Sequence, residues 1–114
     1  MPYRITMVLD VFAREKDRAV AHQCVAHCLK ALTLCDVSYL KANPQVPLLY
    51  QSGVHYEEEP PGQEDWQDIP TTLSLGYGDC EDLCCWRAAE LQVRSGIAAW
   101  PYFIWRRRPR GGLL

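Results

Sequence analysis

Apolar and polar residues alternate at the amino end of the chain, where Tyr3, Ile5, Met7, Leu9 and Val11 share one side at period two. That spacing predicts a strand over residues 3–12. From about Arg14 the period lengthens. Val20, Cys24, Cys28, Ala31 and Cys35 recur at three- and four-residue steps. They predict a helix with one apolar stripe that runs to about Leu40 and is stopped by Asn43-Pro44.

Residues 44–72 hold no clear period. Leu48-Leu49-Tyr50 is the apolar group that anchors this stretch to a core, and the remainder reads as a long loop. A short helical turn near Leu73 leads into Gly76-Tyr77-Gly78. The second helix opens with Asp79 as N-cap and Asp82 at its third position. Cys84, Ala88 and Leu91 form one apolar row, with Cys85, Ala89 and Val93 beside it. Ser95-Gly96 ends the helix, glycine supplying the left-handed C-cap and Ile97 the contact beyond it. Residues 98–106 then predict a strand, with Trp100, Tyr102 and Ile104 on one face and Pro101 marking an edge or a bulge. Strand, helix, loop, helix and strand in 114 residues make one α+β domain over residues 1–114.

Charge adds a contrast of ends. Glu57, Glu58, Glu59, Glu64, Asp65 and Asp68 cluster in mid-chain, whereas Arg106, Arg107, Arg108 and Arg110 crowd the carboxyl end. A solvated loop and a solvated tail account for both, and no stacking aromatics interleave beyond Arg106, so a nucleic-acid role is not supported. No apolar run approaches the ~20 residues of a membrane span and no signal-peptide pattern opens the chain. The expectation is a soluble protein in the cytoplasm. The six cysteines fall three to each predicted helix. Neighbours on one helix rarely have disulfide geometry, so reduced thiols are expected. His22, Cys24, His27 and Cys28 offer zinc-type ligands, but one helix rarely wraps four of them around a metal. Core packing is the reading for Cys24, Cys28, Cys84 and Cys85, with no metal and no cofactor.

Cys80 is the residue with chemistry. A glycine-rich turn delivers it to the first turn of a helix, where unpaired amides and the helix dipole favour a thiolate. Asp79, Glu81 and Asp82 surround it with negative charge, which raises a thiol pKa and opposes the helix terminus. No histidine follows Cys80; the three in the chain are His22, His27 and His55. His55, in the loop before the acidic run, is the candidate stand-in base.

Gly78-Asp79-Cys80-Glu81-Asp82-Leu83 and the alanine-containing helix after it resemble the nucleophile segment of the transglutaminase-like cysteine peptidases. The pattern is similar to a branch found in tailed bacteriophages, through Tyr50-Gln51-Ser52-Gly53-Val54-His55-Tyr56, Glu64-Asp65-Trp66 and Trp86-Arg87-Ala88-Ala89. The resemblance implies a papain-like core with an antiparallel sheet packed on the cysteine helix. It implies that Cys80 is the nucleophile that attacks an amide carbonyl, with a histidine on the next strand as base and an aspartate beyond it. That strand would begin just after Gly112, so the sheet is expected to be incomplete. Two functions are therefore expected. One is a cysteine peptidase or amide hydrolase acting on a protein or peptide in the host cytoplasm. The other is a non-catalytic structural or assembly component of a phage particle, self-associating or binding protein through the edge strand at the carboxyl end.

Overall fold

The structure, a computed structural model, describes residues 4–10, 18–60 and 64–104. Along the chain lie α1 (Arg18–Ala42), a 3-10 turn (Leu49–Gln51), β1 (His55–Tyr56), α2 (Ile69–Leu75), β2 (Tyr77–Gly78) and α3 (Cys80–Ser95). The α+β class is as expected. The sheet is not: β1 and β2 pair in parallel, with His55 opposite Tyr77 and Tyr56 opposite Gly78. Parallel neighbours need a crossover connection, and the segment between the strands that carries α2 supplies it.

Helix α1 contains no glycine or proline, and the break falls where the sequence placed it. The Asn43 side chain donates to the Tyr39 carbonyl at 2.9 Å and Pro44 prevents continuation. Its buried face differs from the predicted stripe. Ala21, Leu29, Thr33, Asp36 and Leu40 turn inward, whereas Val20, Ala31 and Cys35 are exposed and Cys24 and Cys28 half-buried. Two polar residues occupy core positions because each has a backbone partner. Thr33 donates to the Leu29 carbonyl at 2.8 Å, and Asp36 accepts from the Ile69 amide at the start of α2 at 2.9 Å.

Helices α1 and α3 pack side by side and run in the same direction. Cys85 Sγ donates to the Leu29 carbonyl near the start of this contact. Near its end, Arg94 donates to the carbonyls of Leu40 and Asn43, supplying a cation to the terminus of α1. The core gathers Leu40, Val46, Leu49, Ile69, Trp86 and Ala89 between them. Leu49 anchors the mid-chain segment as expected, although Leu48 and Tyr50 stay outside. Its amide donates to the buried carboxylate of Glu90 at 2.9 Å, and Glu90 is paired in turn with Arg87 at 2.8 Å.

Neither predicted terminal strand forms among the described residues. Residues 4–10 are exposed and belong to no ladder, and residues 97–104 make an irregular strap across the helices; positions 3, 11, 12, 105 and 106 lie outside the described residues. The strap is held by side chains instead of a ladder. Gln92 donates to the Ala99 carbonyl at 2.6 Å, the Lys30 ammonium lies 5.3 Å from the Trp100 ring, and Phe103 stacks on His22 at 4.5 Å. Alternation predicts a strand only when a neighbour accepts its backbone bonds, and among the described residues neither segment is paired with one.

Candidate functional site at the start of α3

Three short elements converge on Cys80. Helix α2 ends at Gly76, which takes a φ of +85° that an L side chain rarely adopts, and the chain turns directly into β2. Gly78 follows in a tight place: a Cβ there would lie 3.1 Å from Leu83 and 3.2 Å from Asp82 and Thr72, so a larger residue requires those side chains to give by a few tenths of an ångström. Asp79 then caps α3. Its carboxylate accepts from the Cys80 amide at 2.6 Å, and Asp82 closes the capping box by accepting from the Asp79 amide at 2.9 Å. The other Asp82 oxygen accepts from the Gln67 amide at 2.7 Å, and the Gln67 side chain donates to Tyr77 O at 3.0 Å. The predicted N-cap, third-position aspartate and Gly96 C-cap of α3 are all present.

Cys80 is exposed at this corner, and its thiol faces an acid. Sγ donates to the Glu81 carboxyl at 3.2 Å. Desolvation and that contact, with the charges of Glu81 and Asp79, push the thiol up to about 12. Helix-terminus stabilisation of a thiolate is therefore outweighed locally. Glu81 is itself pushed up to about 8, first by desolvation and then by a hydrogen bond with the Glu64 carboxyl. Two carboxyls that share a hydrogen bond hold one proton between them. Desolvation also lifts Asp82 to about 6 against its two amide bonds, and it raises Glu59. At neutral pH Glu81 keeps a proton and the acids around the thiol raise its pKa, the reverse of what a nucleophilic cysteine needs.

The structure does not bring His55 together with Cys80. His55 Nε2 lies 3.3 Å from Glu57 and its ring packs 6.1 Å from that of Tyr77. Successive strand residues point to opposite faces, and it is the next residue, Tyr56, whose hydroxyl bonds the Asp79 carboxylate. Tyr56 thus faces the cysteine corner and His55 faces away. His22 is occupied by Phe103 on α1. Arg87, the nearest cation in sequence, pairs with Glu90 and sits 4.9 Å from the Tyr50 ring. Of the residues singled out in sequence, Cys80 and its acids assemble and the histidines do not. Tyr56, Glu59 and Glu64 went unnoticed as neighbours of Cys80, and only the density of acids in residues 57–65 hinted at them.

The other cysteines separate. Cys85 is fully buried, as core packing requires, while Cys84 is exposed beside it, because one residue on a helix turns 100°. Asp79, Cys80 and Glu81 place ligand atoms within 4.8 Å of one another, as do Glu59, Glu64 and Asp79. Asp79 already serves the amides of α3, and carboxyls gather on surfaces without an ion, so no metal role is assigned. No described helix is long and apolar enough to cross a membrane. Compared with family models, curated proteins and solved structures, the chain matches none of them.

Proposed function

We propose that this chain is a transglutaminase-like phage protein in which the cysteine helix serves as architecture. It acts by binding protein, as a structural or assembly component, in the infected host's cytoplasm or in the particle. The observation that carries this reading is the partner of Cys80 Sγ, a carboxyl at 3.2 Å that helps push the thiol up to about 12. An amide hydrolase of the papain-like kind needs an imidazole at that place to take the thiol proton and later deliver it to the leaving amine. A carboxyl that itself holds a proton near neutral pH takes up no second one.

One observation favours the hydrolase reading: Cys80 is exposed at the first turn of α3, where a substrate carbonyl can reach the sulfur. The two readings separate in one experiment. The intact chain is treated with iodoacetamide at pH 7, and each cysteine is followed by peptide mass spectrometry. Cys80 is expected to react no faster than exposed Cys35. A rate ten times greater, or an acyl-probe adduct that disappears in Cys80→Ala, overturns the binding assignment.

A further inference from the structure

The two outer edges of the short sheet differ. On the β2 side the Tyr77 carbonyl accepts from the Gln67 side chain at 3.0 Å, so that edge is capped. On the β1 side the ladder uses every second residue. The amides of His55 and Glu57 donate to the Gly76 and Gly78 carbonyls at 3.2 and 2.9 Å. Backbone groups of successive strand residues point to opposite edges, so the N–H and C=O of Tyr56 face outward. No described group bonds to either, and Tyr56 is 55% exposed. β1 is an open edge that an extended segment can join through main-chain bonds.

Charge selects what joins it. Nine of the chain's fourteen aspartates and glutamates, and none of its lysines or arginines, fall between Lys41 and Arg87. Within that stretch Asp79 and Asp82 are buried on backbone amides and Glu81 holds a proton. The field at the edge therefore comes from exposed Glu57, Glu58 and Asp65. Glu57 and Glu58 continue β1 with side chains on opposite faces. Among the described residues the one ion-pair partner of either is His55, 3.3 Å from Glu57. A second copy would bring the same acids edge to edge, which opposes self-pairing. A basic strand meets no such opposition.

We propose that the outer edge of β1 takes up an extended segment of another protein, one carrying two adjacent lysines or arginines, as a third strand beside Tyr56. Main-chain bonds to Tyr56 hold the segment, and its basic pair meets Glu57 on one face of the sheet and Glu58 on the other. The edge supplies a surface for the protein-binding assignment, on which its class of partner rests. The two fail separately. A fast-reacting Cys80 with a peptide-binding edge sinks only the first, and a slow Cys80 with a silent edge sinks only the second.

The full chain is titrated with a short fluorescent peptide of alternating valine and threonine with two central arginines, and with the same peptide carrying two glutamates instead. Saturable binding of the arginine peptide is expected at low ionic strength, with the glutamate peptide weaker by ~10-fold or more. Methylation of the peptide's backbone amides leaves its charge and is expected to weaken binding ~5-fold. On the protein, Tyr56→Pro removes the outward donor at a strand edge and is expected to bind ~5-fold more weakly than Tyr56→Ala, which keeps it. Hydrogen exchange of the Tyr56 amide is expected to slow in the wild-type complex. Absence of saturable binding, equal binding of the arginine and glutamate peptides, indifference to methylation, or an unprotected Tyr56 amide overturns the proposal. So does a dimer of the chain alone that protects that amide.

Discussion

Two cysteines five residues apart on α3 reach the same thiol pKa, about 12, in different surroundings. Cys85 lies in the middle of the helix against α1, fully buried, and donates to the Leu29 carbonyl. Cys80 stands exposed at the amino end, where the helix dipole favours a thiolate although Asp79 already takes the Cys80 amide. Desolvation leads both shifts, but at Cys80 the Glu81 carboxyl adds to it, whereas at Cys85 the first supplement is a Thr33 hydrogen bond that opposes it. A helix terminus is therefore not an activating environment by itself. Desolvation, joined at Cys80 by one carboxyl at 3.2 Å, outweighs it, and the middle and the end of one helix hold their thiols equally high.

That contrast is testable from the core outward. The largest effect belongs to the middle of α3, where Trp86 is fully enclosed between α1 and the mid-chain turn. Trp86→Ala is expected to cost ~3–5 kcal/mol in urea unfolding. A cost under ~1 kcal/mol would place the stabilising core elsewhere.

Next comes the buried acid on α1. Burial pushes Asp36 up to about 8, Asp68 and Asp82 add to it, and only the Ile69 amide opposes. A folded pKa above the ordinary aspartate value of ~3.9 means that the folded chain holds a proton the unfolded chain has released. The stability tied to that proton is fully present below about pH 4 and is lost as pH rises through 8. Asp82, at about 6, acts in the same sense. The melting temperature is expected to fall between pH 5 and 8.5. Asp36→Asn is expected to flatten that fall, by the equivalent of ~1 kcal/mol or more. A variant that keeps the wild-type slope would show that Asp36 is ionised in the folded chain.

The smallest effect on stability, and the most direct on reactivity, lies at the end of the helix. Glu81→Gln removes the charge and the carboxyl acceptor beside Cys80, leaving desolvation and Asp79. Alkylation of Cys80 at pH 8 is expected to rise ~10-fold, one unit of thiol pKa, with the unfolding free energy changed by less than ~0.5 kcal/mol. An unchanged rate would assign the whole shift to desolvation.

Local sequence carried the parts of this protein that depend on a few adjacent residues. Asp79 and Asp82 announced their capping box, Gly96 the end of α3, and Asn43-Pro44 the end of α1, because backbone amides and carbonyls are satisfied within one turn. Acids next to Cys80 were also legible, and with them the direction of its pKa. What the pattern could not carry was choice of partner. The cysteine stripe on α1 looked apolar, yet Thr33 and Asp36 took the core positions, Thr33 satisfied by the Leu29 carbonyl one turn back and Asp36 by the Ile69 amide 33 residues away. The alternation in residues 3–12 looked like a strand, but a strand exists only where another edge receives it, and the described residues 4–10 belong to no ladder. His55 and Cys80 looked like a possible pair, and the parallel register of β1 and β2 set Tyr56 toward the cysteine and His55 away. Sequence alone determined how each element begins, ends and is charged, since those forces act within a few residues. Which side of each element meets another was decided only by the tertiary structure, because burial and long-range hydrogen bonds are settled by the whole chain at once.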